Sequence, residues 1–388
     1  MRHIILTDKP DVAASLLPLT FTRPISELLL GIMTLRQKWE MLLEGDYSYS
    51  TADYLREVYP NAKAGPDSLI IASHILPTPE LADAVALLLP GEALTAGDGG
   101  EVIASCGENP GRMLPYPGKL TEITRAYHLF QYNATAIAND FERLVERMEW
   151  RPVSKTCTVI GTSARILMAE GAKAEGVTFN TEGGPIYIGR DAEVMEGSCL
   201  RGPIAILDRS TVNMLTRIYG ATTIGRHCKV GGEISNVVIH DYSNKAHDGF
   251  LGNAVIGSWC NLGAGCVASN LKNDYTEIKL WDYASGRFQR TGLQFCGLIM
   301  GDHSKAGINT MFNTATTVGV GVNIHGTGFP RNFVGSFSEG GATMGFSEVS
   351  LAKFLGIARR VMARRDVELT PEMESLFTTL HSMTDVYR

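Results

Sequence analysis

Eight aliphatic residues recur at a spacing of six: Ile188, Val194, Leu200, Ile206, Val212, Ile218, Ile224 and Val230, all β-branched except Leu200. A period of six fits neither a helix, with its repeat of 3.6, nor an isolated strand, with its repeat of 2. It fits a chain that turns a corner every six residues and sends one side chain inward per turn, which is a hexapeptide β-helix. The phase then slips and recovers. Ile239 and Leu251 lie twelve apart and Ile256 and Leu262 six apart, while Met300, Ala306, Phe312, Val318 and Ile324 form a second unbroken run. Glycine often follows the inward position, as in Ile224-Gly225, Ile256-Gly257 and Met300-Gly301, where a Cβ would crowd the corner.

At 388 residues the chain exceeds what one hydrophobic core usually holds, so two domains are expected. A net charge of −6 gives no general attraction to nucleic acid or anionic lipid, and neither is expected as a partner. The seven cysteines form no CxxC pair and are odd in number, so they read as reduced thiols rather than a disulfide frame or a zinc site. The opening MRHIILTDKPD lacks the apolar stretch of a signal peptide, and no run approaches a membrane span. The expectation is a soluble, cytoplasmic protein.

Three segments follow. Residues 1–150 alternate short apolar runs with helical patterns and read as an α/β domain. His3-Ile4-Ile5-Leu6 is a buried first strand there, and helical spacing runs from Leu28 to Leu43, from Leu81 to Leu89 and from Ala126 to Met148. Arg151-Pro152 marks the boundary. Residues 153–346 are the β-helix, interrupted by a polar stretch from Lys272 to Gln294 whose central Ser285-Gly286 suggests a protruding hairpin. Residues 347–388 are helical. Leu351, Phe354, Leu355, Ala358, Val361 and Met362 share one face, and Thr370-Pro371-Glu372 looks like the capped start of a last helix.

Chemistry-bearing residues concentrate in Asn244–Asn270, which reads NKAHDGFLGNAVIGSWCNLGAGCVASN. His247 lies where the repeat has slipped, so its imidazole need not point inward and could take a proton from an attacking amine or hydroxyl. A surface or stacking histidine is the plainer reading. Asn261 and Asn270 could equally ladder along the coils, and Lys245 alone reads as a solvated charge. Asp98, in Gly97-Asp98-Gly99-Gly100, reads first as a turn and second as a magnesium ligand. His227, His240, His247 and His303 keep a metalloenzyme in view, although their spacing shows no clear triad.

The sequence Lys245-Ala246-His247, Leu251-Gly252, Cys260-Asn261-Leu262-Gly263-Ala264-Gly265 and Asn270 resembles the acyltransferase half of the bifunctional sugar-1-phosphate nucleotidyltransferase/acetyltransferase family. The resemblance implies a left-handed parallel β-helix assembled as a homotrimer. It implies acetyl-CoA as acyl donor and an amino-sugar phosphate as acceptor. His247 would be the general base and Asn270 would orient the amine and the acetyl group. Lys245, Asn261 and Arg217 would meet the sugar phosphate, and the Ala264 backbone would lie near the cofactor. Phe250 stands where the family has a hydrogen-bonding tyrosine.

The first segment resembles the nucleotidyltransferase half in a shortened form. Ile4-Ile5-Leu6 and Pro18-Leu19-Thr20-Phe21-Thr22-Arg23-Pro24 match, whereas Lys9-Pro10-Asp11 replaces the glycine-rich phosphate loop. This implies a nucleoside triphosphate and sugar 1-phosphate, or a nucleotide-sugar, as ligands, with Arg23 at the phosphates and Mg2+ near Asp98. Two other readings stand beside it: a non-catalytic sugar-nucleotide-binding scaffold, and a γ-carbonic-anhydrase-like metalloenzyme on the same β-helix.

Overall fold

The computed structural model describes residues 2–147 and 149–388, and its chain divides into two compact units. The first unit holds the chain up to Leu16, Thr22–Leu28 and Met33–Arg125; the second holds Leu17–Phe21, Leu29–Ile32 and Ala126–Arg388. The division by contacts therefore falls at Arg125/Ala126, and the helical stretch after it belongs with the β-helix.

The first unit is a six-stranded sheet with helices. Its strands are β1 (His3–Thr7), β2 (Asp46–Ser50), β3 (Leu69–Ala72), β4 (Glu92–Ala96), β5 (Val102–Cys106) and β6 (Arg112–Tyr116). The order is β2-β1-β3-β5-β4-β6, with β1 parallel to both neighbours and β5 antiparallel to both of its own. Ile4, Ile5 and Leu6 are buried, as the sequence suggests for a central strand covered on both faces. Three short helices accompany the sheet: α1 (Pro10–Ser15), α2 (Leu35–Leu42) and α3 (Pro79–Ala86). The helical spacing from Leu28 to Leu43 is realised only from Leu35. Thr34 and Gln37 form a reciprocal capping box that fixes the start there, and Leu29–Leu30 and Met33–Thr34 are extended.

In the second unit the six-residue period becomes three faces of a parallel β-helix. Ile188, Ile206 and Ile224 pair in register from one coil to the next on one face, Val194, Val212 and Val230 on another, and Leu200 and Ile218 on the third. All eight are at most 1% exposed. The first column continues through Ile239, Ile256, Met300, Val318 and Val334. The coil from Ile224 to Ile239 is shorter than those before it, which accounts for the slip in phase. Between Ile256 and Met300 the coil is lengthened by the antiparallel hairpin Lys279–Asp282/Arg287–Arg290, as expected for that polar stretch. Trp281 of the hairpin stacks on Phe333 at 4.0 Å.

Three longer helices complete this unit: α4 (His128–Val145), α5 (Leu351–Ala363) and α6 (Pro371–Met383). Thr370 caps α6 by accepting from Met373 N, with Pro371 at its first position, as anticipated. The expected end of α4 at Met148 lies outside the described residues. Asn133 of α4 is fully buried; its Oδ1 accepts from Gly31 N (2.8 Å) and its Nδ2 donates to Ala221 O (2.8 Å). Gly31 has φ of +72°, and a Cβ there would lie 2.5 Å from Asp140 Oδ2, so only glycine fits the crossing. The seven cysteines are free thiols, and Cys228, Cys260 and Cys266 line the β-helix core. Among the described residues no helix is long and apolar enough to cross a membrane.

Candidate functional site

In the first unit, β1, β2, β3 and β4 all end on one edge of the sheet, which is where open α/β sheets bind ligands. Asp8 follows β1 directly. Its carboxylate accepts from Thr51 Oγ1 (2.7 Å), Ser73 Oγ and Ile25 N (3.2 Å), and burial nevertheless raises its pKa. The bond to Ile25 draws the Arg23-Pro24 segment to this edge, and the Arg23 side chain is partly buried there. Lys9 pairs with Glu101. The turn bearing Asp98 joins β4 to β5 just before Glu101, and Asp98 itself is exposed, with Gly97 and Gly99 at positive φ on either side. Sequence alone gave Asp8 no role; its place beside Thr51 and Ser73 needed the strand order.

His74, also at this edge, is 1% exposed. Burial, followed by the Lys9 charge, holds its pKa down to about 4. The folded state thus keeps His74 neutral while the unfolded chain protonates near pH 6.5. Stability from this group is present above pH 6.5 and is lost as pH falls toward 4, by about 3 kcal/mol in total. Thermal melts of His74→Gln across this window should therefore be flatter with pH than those of the natural protein; parallel profiles would discard the assignment.

In the second unit the residues singled out by sequence separate onto different faces. Arg217, Glu233 and Phe250 are register neighbours on one outward row. Arg217 Nε lies 3.5 Å from Glu233 Oε2, a half-exposed pair that spacing alone did not suggest. Asn270 Nδ2 donates to Asn253 Oδ1 (2.8 Å) beside this row. Gly252 makes room for both: a Cβ there would lie 2.6 Å from the Phe250 ring and 2.7 Å from Asn270 Nδ2. His247 is exposed on the corner immediately before Phe250. The structure thus places Arg217 and Phe250 on one strand row, His247 on the corner that leads into it, and Asn270 beside it.

Lys245 corrects two expectations, a solvated charge and a substrate contact. It pairs with Val230 in an inward column and is 1% exposed. Its Nζ donates to Asp248 O (3.1 Å), Gly231 O (3.4 Å) and His247 O, and burial lowers its pKa. Lys245 therefore ties down the corner that carries His247 and has no ammonium to offer a ligand. Asn261 is exposed on a different outward row, between Asn244 and Lys305. Ala264 follows on the next corner, where its carbonyl accepts from Asn309 N (2.8 Å).

The histidines do not converge. Both His240 nitrogens are engaged, Nε2 accepting from Leu29 N (3.2 Å) and Nδ1 donating to Ile256 O (3.1 Å), so no lone pair is left for a metal. His227 and His303 end a column of stacked rings with Tyr242 and Trp259. Among the described residues no group of three or more His, Cys, Asp or Glu side chains could hold a metal ion.

Residues 4–149 match the family model described as sugar nucleotidyl transferase. Similar curated proteins include the bifunctional protein GlmU of Trichodesmium erythraeum, 26% identical over 140 residues that make up 36% of this chain and 25% of that protein. The bifunctional sugar-1-phosphate nucleotidylyltransferase/acetyltransferase of Sulfurisphaera tokodaii is 28% identical over 144 residues, 37% of this chain and 35% of that protein. The chain thus spans between a quarter and about a third of the length of these relatives. Among solved structures, the UDP-N-acetylglucosamine acyltransferase of Francisella novicida overlaps 62% of this chain and 78% of its own at 15% identity, with a TM-score of 0.31.

Proposed function

We propose that the chain is a two-part transferase of sugar-nucleotide metabolism, in which the β-helix passes an acyl group from acyl-CoA to the amino group of a sugar phosphate. The reading is carried by one observation: Arg217 and Phe250 share one outward row with Glu233 between them, His247 sits on the corner before Phe250, and Gly252 leaves room for both the Phe250 ring and the Asn270 amide. In this reaction the amine attacks the thioester carbonyl, its proton passes to the His247 imidazole, the C–S bond breaks and the thiolate leaves. Arg217 offers charge to the phosphate, tempered by Glu233. The Asn270 amide, already held by Asn253, orients the reacting groups, with the Ala264 backbone as the contact for the acyl-CoA arm. Phe250 replaces a hydroxyl donor with a phenyl ring, so the acceptor presents no polar group at that point. The active form in this reading is a homotrimer.

For the first unit the proposal is transfer of a nucleotidyl group to a sugar 1-phosphate with release of pyrophosphate, Arg23 meeting the phosphates at the strand edge. Asp98 supplies one exposed carboxylate, so Mg2+ would be held there jointly with the phosphates of the nucleotide, the usual arrangement for this ion. Its chemistry would be neutralisation of the leaving pyrophosphate. Support comes from the family match over residues 4–149 and from the convergence of Asp8, Arg23 and Lys9 on one edge.

Pyrophosphate release by the full chain, measured over the common pairs of nucleoside triphosphate and sugar 1-phosphate, tests the reading. Arg23→Ala is expected to lower the rate roughly 10–100-fold by removing a charge-assisted contact. Activity unchanged in Arg23→Ala would discard the site. Silence in every pair would favour a binding domain without turnover, a reading that the Lys9-Pro10-Asp11 replacement of the glycine loop also supports.

A further inference from the structure

A second outward row runs along the β-helix on another face. Lys229 stands beside Asn244, Asn244 beside Asn261, and Asn261 beside Lys305. The α5 helix lies over this row. Phe354 sets its ring against His303 at 5.8 Å, and Arg365 Nη2 beyond the helix end donates to Asn244 Oδ1 at 3.1 Å. Beneath is a cavity of about 550 Å³ lined by Lys229, Asn244, Asn261, Lys305, Arg364 and Arg365.

Tyr242 and Trp259, together with small or apolar side chains, form the rest of its wall. Both sit on corners at positive φ, as do His227 and His303, so successive coils pile these four rings one on another. Tyr242 and Trp259 stack at 4.1 Å and 6°, with His227 and His303 covering the outer faces. With their faces occupied, the two rings turn their edges, the positive rim of an aromatic quadrupole, toward the cavity.

The lining contains four cations and no carboxylate, in a chain whose net charge is −6. Lys305 gives two N–H groups to Trp259 O (3.0 Å) and His303 O (2.8 Å), and burial brings its pKa down to about 8. Four like charges brought together at one wall repel one another unless an anion joins them. Arginine and lysine together are the residues that recognise phosphate, and the volume is that of a nucleotide-sized ligand rather than a lone ion.

We propose that this cavity binds a phosphorylated small molecule of nucleotide size carrying at least two negative charges, at a site separate from the His247 corner. The inference stands without the acyl-transfer reading, because none of His247, Arg217, Phe250 and Asn270 lines the cavity. It also gives Asn261 a place: its amide faces the same cavity as the cations and can bond the polar, uncharged part of the ligand. A diphosphate of this kind occurs in free nucleotides, nucleotide-sugars and coenzyme A, and the chemistry on the wall is common to all three.

The test is titration of the full chain at low ionic strength with inorganic pyrophosphate, uridine diphosphate and coenzyme A, followed by calorimetry and by tryptophan fluorescence, to which Trp259 at the cavity wall contributes. Saturable binding is expected, weakened about tenfold or more in each of Lys229→Ala and Arg364→Ala, whose side chains are exposed and whose loss leaves the core intact. Arg287→Ala, an exposed cation on the hairpin and outside the cavity, should bind unchanged. Equal affinity for all three probes would assign recognition to the diphosphate alone, and a preference for coenzyme A or for uridine diphosphate would identify the source of the natural ligand. No saturable binding of any probe, or binding that survives intact in both variants, overturns the proposal.

Discussion

Replacing His247 with alanine is expected to lower acyl transfer about 10²–10⁴-fold, the range typical of a positioned general base. An amine attacking a thioester must shed a proton as the C–N bond forms, and His247 is the imidazole at this corner, beside the carboxylates of Asp248 and, on the row, Glu233. Arg217 is a permanent cation paired with Glu233, Asn270 is an amide, and Phe250 has no heteroatom. The substitution removes no packing, because His247 is exposed, so the β-helix should melt at the same temperature as the natural protein. Asn270→Ala should also slow turnover by loosening the reactants, with the fault visible in kcat rather than in binding alone. Wild-type acyl transfer by His247→Ala on the best substrate found would show that the base lies elsewhere.

The architecture was legible because one inward side chain per six residues leaves a trace in any aliphatic core. The trace faded where the coils shorten. Ile239 and Leu251 are twelve apart because the inward position between them is Lys245, a residue no hydrophobic count would include. That vacancy in the pattern was itself the signal: a lysine at the expected inward place, with carbonyls of its own corner within reach. The phase around His247 is in fact regular, because Lys245 fills the inward position; the slip lies earlier, between Val230 and Ile239. What periodicity could not give is which corners stack. His227, Tyr242, Trp259 and His303 each follow an inward residue of one column by three positions, and the unequal coil lengths between them hide the alignment from the sequence. The Arg217–Glu233 pair and the cations beneath α5 were illegible for the same reason, since both depend on register between coils of unequal length rather than on a fixed repeat. In the first unit, Asp8 gained meaning only from the strand order that sets Thr51 and Ser73 on either side of it.

Asn133→Ala should cost about 3–5 kcal/mol of stability, a loss comparable with much of what a domain of this kind possesses. Within α4 the residue looks like one more polar position on a helix surface. It is instead fully buried, and its amide serves two backbone groups and a hydroxyl at once: Gly31 N, Ala221 O and Thr223 Oγ1, the last at 3.1 Å. Truncation leaves a buried N–H and a buried C=O without partners and opens a void, and a buried unpaired backbone group costs about 1–3 kcal/mol. Gly31→Ala cannot relieve this, because its Cβ would collide with Asp140 and Ala136. The control is Asn139→Ala on the same helix, exposed and expected to change stability by no more than about 0.5 kcal/mol. Because the chain has two compact units, urea unfolding is best read as two transitions, with the shift confined to the one that carries the β-helix. A shift for Asn133→Ala no larger than that for Asn139→Ala would mean that water replaces the amide. In that case the union of α4, the Leu29–Ile32 segment and the β-helix rests on the buried apolar side chains Leu129, Phe130, Ile137 and Phe141 and on the remaining bonds of Ile32 N to Asp140, Leu29 N to His240 and Thr223 Oγ1 to Gly31 O.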